Sequence, residues 1–482
     1  MPIRSILFLL LALFRIFERQ SGIGGAWWIN RYPGVACDIP SIFYSYSFAP
    51  NYSSPGVFAS GSEIVEYLNS VASKYQLADK IECEREITEI RWLEEPEEWE
   101  LVISHMSPGT GDLSSSGRQH RIKQHGEQSV YLKREKARAK IVVSCVGMLS
   151  EPNDWPSDVP GLESFEGSVV HSARWKNDIS LAGEDVLVIG AGSSTAQLVP
   201  CLLSDKTQVK SVTQVIRDPP WVVPRIEEPG GKEAYARQAP RIFKWCPLLG
   251  PFLRACIFCY VELNWFTVLQ SKNQKRRSEQ EAFALNHMRN LVPGEYHRAM
   301  TPTYSYGCKR SVLDQDWLRS MNSPKFQLCT RPLKCVRARE VVLHGSDDYP
   351  ADLRIPADVI VLGNGFQATK WLHPLRVIGR GGKLLQDIWN ERGGPQAYMG
   401  TAVDGFPNLF LVGGPNTFLS HTSVIIASEN FTKFIIKVAK PVLQGDARFV
   451  EARIGAYSPD ARVGTMMSED GIRCCFLALN YF

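Results

Sequence analysis

Apolar and polar positions along the chain separate several element types. Asp185-Val-Leu-Val-Ile189 carries apolar residues without alternation, the pattern of a strand covered on both faces, and Thr195-Ala-Gln-Leu-Val-Pro-Cys-Leu-Leu203 then has helical composition. Ser211-Val-Thr-Gln-Val-Ile216 reads as the next strand. Ile64, Tyr67, Leu68, Val71, Ala72 and Tyr75 recur at helical spacing behind Ser62, which predicts an N-cap at Ser62 and a helix with one buried face. The charged, alternating stretch from Ile81 to Ile103 predicts a strand meander, and His105 to Gly126 a polar loop.

Two further apolar strands, Ala139 to Gly147 and Ala357 to Phe366, each end in glycine and bracket the strand–helix–strand unit. Such bracketing predicts an α/β chain with one domain inserted into another: residues 1–150, then an inserted domain at 151–354, then 355–482, with the chain returning near Asp358. Between Ile226 and Ala299 lies an aromatic-rich insertion containing Phe243, Trp245, Phe252, Phe258, Tyr260, Trp265 and Phe266. Helical packing within the inserted domain is expected there, ahead of a substrate wall or a membrane-facing patch.

The turn between strand and helix is Gly190-Ala191-Gly192-Ser193-Ser194-Thr195-Ala196. Gly190 permits a tight turn, Gly192 lets backbone approach a pyrophosphate, and Ala196 allows helix and strand to pack closely. The helix N-terminus supplies free N–H groups at Ser193, Ser194 and Thr195 and the positive end of a dipole. The next strand ends in Arg217-Asp218, and an arginine at that place pairs with a 2′-phosphate, which favours NADP over NAD.

At 482 residues the chain exceeds one ordinary domain, and 44% hydrophobic with 22% charged residues fits a globular protein. A net charge of +4 without a basic stripe gives no case for nucleic acid. The twelve cysteines follow no secreted disulfide rhythm and offer no metal-ligand spacing, so reduced core thiols, a cytoplasmic location and no metal are expected.

Phe165, Gly167, His171 and Trp175 stand, about fifteen residues before the glycine turn, at the spacing of the Baeyer–Villiger monooxygenase fingerprint, which the chain therefore resembles. Trp175 argues against the related flavin-containing monooxygenases; Lys176 departs from the proline or aspartate usual at its place. The resemblance runs from about Phe17 to Lys440. Gly22 to Ser41, with Gly25, Trp27, Trp28 and Asp38, is similar to the family's flavin-contacting segment, and Tyr44 follows it. Tyr306-Gly307-Cys308-Lys309-Arg310 is similar to its active-site turn. Gly394 to Gly400, then Gly414-Pro415-Asn416-Thr417 with His421 to Ser423, resembles its C-terminal flavin segment. Gly363-Asn364 replaces the usual alanine and threonine.

The resemblance implies two Rossmann-like dinucleotide-binding domains, an NADPH domain inserted into an FAD domain. It implies FAD and NADPH as cofactors, dioxygen as co-substrate, and insertion of one oxygen beside the carbonyl of a ketone to give an ester or lactone. Such chemistry calls for a fixed cation near the flavin. Arg310 matches that role, with Asp38 holding it and Lys309 contacting the NADP phosphate; His171 and Trp175 match hinge positions. Glu18 matches the acid on the adenosine ribose, and Asn416 a flavin contact. A bulky apolar ketone such as a polyketide, terpenoid or steroid, in a fungal secondary pathway, follows by analogy.

The family's opening strand and glycine turn are missing before Arg15-Ile-Phe17-Glu18, so about thirty residues are expected upstream. The apolar run Ile6 to Phe14 is too short to span a bilayer; it reads as a shortened start or a buried helix rather than a signal peptide, with weak membrane association through the N-terminus as a further option. Beyond Lys440 the family pattern ends, and oligomeric state is not encoded in any motif. Two other readings stay open: an N- or S-oxidising flavin enzyme, and an inactive fragment that binds NADPH without FAD.

Overall fold

A computed structural model describes residues 14–269, 274–346, 350–417 and 422–453. The apolar run before Phe14, His421 and Cys474-Cys475 lie outside the described residues.

A five-stranded parallel sheet forms the centre of one half of the chain. Its strands lie in the order Phe326–Cys329, Ser211–Val215, Asp185–Ile189, Val359–Leu362, Ser168–His171. Val186, Leu187 and Val188 are at most 1% exposed, as an unalternating apolar strand requires. The helix Ser193–Leu202 covers one face with Leu198, Val199 and Leu202, against Met288, Trp317 and Leu318. Burying so much apolar side chain brings a polar group inside as well: Trp317 Nε1 donates to Gln214 Oε1 at 2.9 Å, which satisfies both.

The expected return strand is placed differently. Val359–Leu362 lies inside this sheet, between Asp185–Ile189 and Ser168–His171, while Val142–Ser144 pairs with Leu409–Leu411. Val-Ile-Val-Leu has no polar position and needs neighbours on both edges and cover on both faces, which the nucleotide-side sheet provides. The crossing out of this sheet therefore follows Leu362 rather than preceding Asp358.

The predicted meander forms. Arg85–Leu93, Glu98–Met106 and Tyr131–Ala139 run antiparallel, with Arg376–Ile378 parallel on the outer edge, over a core of Trp92, Trp99, Ile103, Trp389 and Phe406. The predicted helix spans Gly61–Lys74, but its cap is Ser60, not Ser62: Ser60 Oγ accepts from Glu63 N and Glu63 Oε2 accepts from Ser60 N. The polar loop contains a helix, Ser115–His125, capped by Ser114. Its one buried residue is Arg118, so no apolar periodicity marks it.

The aromatic insertion folds as helices Lys232–Trp245, Leu249–Asn264 and Gln274–Leu291, the second continuing into a wider turn at Trp265–Leu269. Packing holds at that turn, where Trp265, Val268 and Leu269 join Trp221 and Tyr306, and along the third helix, where Ala284 and Met288 are buried. Trp245, Leu248, Phe252 and Tyr260 stand 87, 80, 64 and 70% exposed, against expectation. The cysteines also divide: Cys37 and Cys329 are buried, whereas Cys145, Cys246, Cys256, Cys259 and Cys308 are exposed free thiols.

Candidate active site

The glycine turn sits at the end of the central strand. Gly190 has φ 124°, and a Cβ there would collide with the Gly363 carbonyl. Gly192 is different: its φ is −79° and no heavy atom lies within 4 Å of its missing Cβ, so its backbone faces open space. Gly192 is the N-cap and contributes no side-chain bond. The first-turn N–H groups of Ser193, Ser194 and Thr195 have no carbonyl one turn earlier to bond, and that fits a pyrophosphate. Thr195 Oγ1 donates to Gly192 O at 2.9 Å and steadies the turn.

Two cations converge beside it. Arg217 Nε and Lys309 Nζ reach the same oxygen of Asp218, at 3.2 and 3.3 Å. Burial resists ionisation of Asp218, but Lys309 and then Arg217 outweigh it and hold the carboxyl below its usual range. Arg217 is otherwise open to solvent, so the pair fits a phosphate dianion bound alongside Asp218.

Asp38 and Arg310 meet across the chain in a two-pronged contact, Arg310 Nε to Asp38 Oδ2 at 3.0 Å and Arg310 Nη2 to Oδ1 at 2.7 Å. With the guanidinium side chain 32% and the carboxylate 22% exposed, part of the cation stays free to donate outward. The segment bearing Asp38 is tied to the dinucleotide helix: Tyr32 Oη donates to Gln197 Oε1 at 2.8 Å, and Gln197 Nε2 donates to Ala36 O at 2.9 Å. Burial pushes the Tyr32 hydroxyl up to about 12, so it remains a donor. Trp27 Nε1 donates to Tyr44 Oη at 3.0 Å, their rings edge to face at 5.8 Å. Trp28 donates to Ser21 and Asp112 and lies under the Arg31 guanidinium at 4.3 Å. Gly25 has φ 56° with nothing near its missing Cβ, an open backbone beside these rings.

His171 is buried. Its Nδ1 accepts from Ala173 N at 3.0 Å, which leaves the proton on Nε2, donated to Asn364 Oδ1 at 3.0 Å and Gly365 O at 3.1 Å. Asn364, the departure from the family pattern, is thus the partner of the fingerprint histidine, and its Nδ2 donates to Asp154 O. Burial, with Arg174 adding to it, pushes His171 down to about 4. Phe165 packs on the sheet core, Trp175 against the helix-side core, and Gly167 sits where a Cβ would strike Asp358 O and the Phe165 ring. Asn416 has φ 64° in the turn that Thr417 closes by donating to Gly414 O at 2.6 Å.

Residues 16–238 match the family model described as flavin-binding monooxygenase-like. A Baeyer–Villiger monooxygenase of Streptomyces coelicolor is 32% identical over 425 residues, covering 88% of this chain and 72% of that protein. One of Pseudomonas aeruginosa is 31% identical over 431 residues, 89% of this chain and 72% of that protein. This chain belongs to the Baeyer–Villiger monooxygenase family. It spans 65% of the length of a 31% identical FAD-binding monooxygenase of Aspergillus niger. Among solved structures, a polycyclic ketone monooxygenase of Thermothelomyces thermophila aligns with TM-score 0.76 at 21% identity, over 98% of this chain and 79% of that one. The oxidised steroid monooxygenase bound to NADP aligns with TM-score 0.71 at 24%, over 94 and 85%. At those identities the shared property is the fold.

One group in this Baeyer–Villiger family member escaped sequence reasoning. Arg19 pairs with Glu151, Arg118 Nη2 reaches Glu86 Oε1 at 3.0 Å, and Tyr131 Oη donates to Glu86 Oε2 at 2.6 Å. Burial opposes ionisation of Glu151, but Arg19 and Arg118 hold its carboxyl below the usual range. Arg174 joins them, bonding Ser150 O, and is pushed down to about 10 by burial. These residues are scattered from 19 to 174, and only adjacency to Glu18 and the fingerprint could have drawn attention to them. Glu18 itself accepts from Gln20 N at 2.8 Å, and burial holds its carboxyl above the ordinary value. Arg19 Nε, Gln20 Oε1 and Arg174 Nε are buried without a protein partner among the described residues, a polar lining that fits the hydroxyls and phosphates of a dinucleotide.

Proposed function

We propose that this chain carries out the NADPH- and dioxygen-dependent Baeyer–Villiger oxidation of a ketone on a bulky apolar scaffold. One oxygen atom enters between the carbonyl carbon and its neighbour to give an ester or lactone, and the other leaves as water, with the hydride of NADPH and one proton from solvent consumed and NADP+ formed. The observation that carries this reading is the bidentate Asp38–Arg310 contact, anchored through Ala36, Gln197 and Tyr32 to the helix that begins at the glycine turn.

FAD supplies the oxygen-activating chemistry when bound. Glu18, Arg19 and Gln20 would hold its adenosine diphosphate part, and Gly25, Trp27, Trp28, Tyr44 and Asn416 its ring. The NADPH pyrophosphate would rest on Gly190, Gly192 and Ser193 to Thr195, and its 2′-phosphate between Arg217 and Lys309. The corresponding division is an FAD domain from residues 1–150 and the part after the nucleotide sheet, with the NADPH domain between. Arg310 stabilises negative charge that develops on oxygen, because a guanidinium stays cationic at any working pH and Asp38 fixes its plane. His171, neutral and bonded to Asn364, joins the fingerprint to the end of the Val359–Leu362 strand rather than transferring protons. A fungal secondary pathway is consistent with the Aspergillus relative.

The test is Arg310→Ala, with Asp38→Asn beside it, in FAD-loaded protein supplied with NADPH and a panel of bulky ketones. Ester formation should fall by roughly 10²–10³ in Arg310→Ala while FAD and NADPH still bind. Ester formed at the wild-type rate by Arg310→Ala would remove the reading, and oxidation of amines or sulfides alone would replace it.

A further inference from the structure

The helix Leu249–Asn264 is built inside out for a surface helix. Phe252, Ala255, Cys256, Phe258, Cys259, Tyr260 and Leu263 face solvent, with Trp245 and Leu248 leading into them. Of its two charged residues, Arg254 turns away from that face and Glu262 is half-buried. Arg254 donates to Ile42 O and Ser45 Oγ, each at 3.0 Å, and to Ser45 O at 2.7 Å. A helix exposed to water carries its charges outward, so this face is made for an apolar neighbour.

We infer that the helix pair Lys232–Trp245 and Leu249–Asn264 is a docking surface for an anionic lipid bilayer. The charges on the flanking helices decide the occupant. Lys232, Arg237, Arg241 and Lys244 are exposed on the first helix, and Lys275 and Arg276 on the start of the third, against the exposed acids Glu233 on the first and Glu279 on the third. A second copy would bring like charge against like charge around the apolar centre; lipid headgroups of opposite sign satisfy it. Trp245 and Tyr260 are the residue types that settle at the headgroup boundary.

The stretch Leu249–Leu269 is long and apolar enough to cross a membrane. Its attachments make it lie in the surface instead. Trp265, Val268 and Leu269 are buried against Trp221 and Tyr306, and Arg254 is bound to the 42–45 segment, so spanning would tear out a core cluster and three hydrogen bonds. Those attachments also lead to the site: Ser45 adjoins Tyr44, and Leu269 packs where Gly307, three residues before Arg310, has room for no side chain. Taking the proposed chemistry as given, apolar ketones would enter from the lipid phase.

Flotation of the full-length chain with phosphatidylcholine vesicles, with and without phosphatidylglycerol, tests the surface without reading any chemistry. The chain should float with the anionic vesicles at low salt. Combined Trp245→Ser, Leu248→Ser and Phe252→Ser should lower partitioning by at least roughly tenfold, and Arg241→Gln with Lys244→Gln by roughly tenfold, with unchanged circular dichroism and melting temperature. Absence of flotation overturns the inference, as does flotation indifferent to the triple substitution. A dimer in sedimentation velocity that the triple substitution dissociates would give the face to a second copy and also overturn it.

Discussion

Arg310 reaches a carboxylate 272 positions earlier in the chain, and both residues were legible because each sits in a compact motif. Their contact is tertiary and no spacing encodes it. His171 shows the opposite case. Its motif is plain in sequence, whereas its protonation state depends on Ala173 N, Asn364 and Gly365, and those partners come from the fold. Its value drops from 6.5 to about 4 on folding. Between those values the unfolded chain binds a proton that the folded chain does not, so stability rises with pH across that window. The contribution is complete above about 6.5 and is lost as the pH falls toward 4, at most about 3 kcal/mol. Melting temperature should therefore decline less steeply from pH 6.5 to 4 in His171→Gln than in the wild type; parallel declines would show that His171 is not the titrating group.

At the scale of elements, the glycine turn separates folding from binding within three residues. Gly190 is required by its φ of 124° and by the Gly363 carbonyl, so Gly190→Ala should destabilise the protein by about 1–3 kcal/mol in chemical denaturation. Gly192 has an ordinary φ and open space, so Gly192→Ala should melt like the wild type yet weaken NADPH by roughly tenfold or more. Equal NADPH affinity in Gly192→Ala, measured by calorimetry, would move the pyrophosphate elsewhere. Sequence periodicity revealed the central strand and the Gly61–Lys74 helix, since each buries apolar residues at its own period. It missed Ser115–His125, whose inward residue is an arginine, and it misplaced Val359–Leu362, because an unbroken apolar run says that a strand is buried without saying in which sheet.

For the whole molecule, family membership and the order of its motifs agree, while the exposed helical insertion does not follow from either. Aromatic content alone does not tell a buried helix from an exposed one; the inward turn of Arg254 and the exposure of Phe252 and Tyr260 do, and only the folded chain shows them. The same holds for the Arg19–Glu151–Arg118–Glu86 group, which ties the segment after Glu18 to the meander, with Arg174 of the fingerprint bonded beside it at Ser150 O. What joins these parts is one claim, that a flavin lodges beside the Asp38–Arg310 pair and receives its electrons from NADPH held at the Gly190 turn. Mass spectrometry of the product from a bulky ketone, made by FAD-loaded protein under ¹⁸O₂ with NADPH, tests it most directly. An ester or lactone carrying one labelled atom for each NADPH oxidised is expected. Unlabelled product, or unchanged ketone with no NADPH consumed, would contradict it.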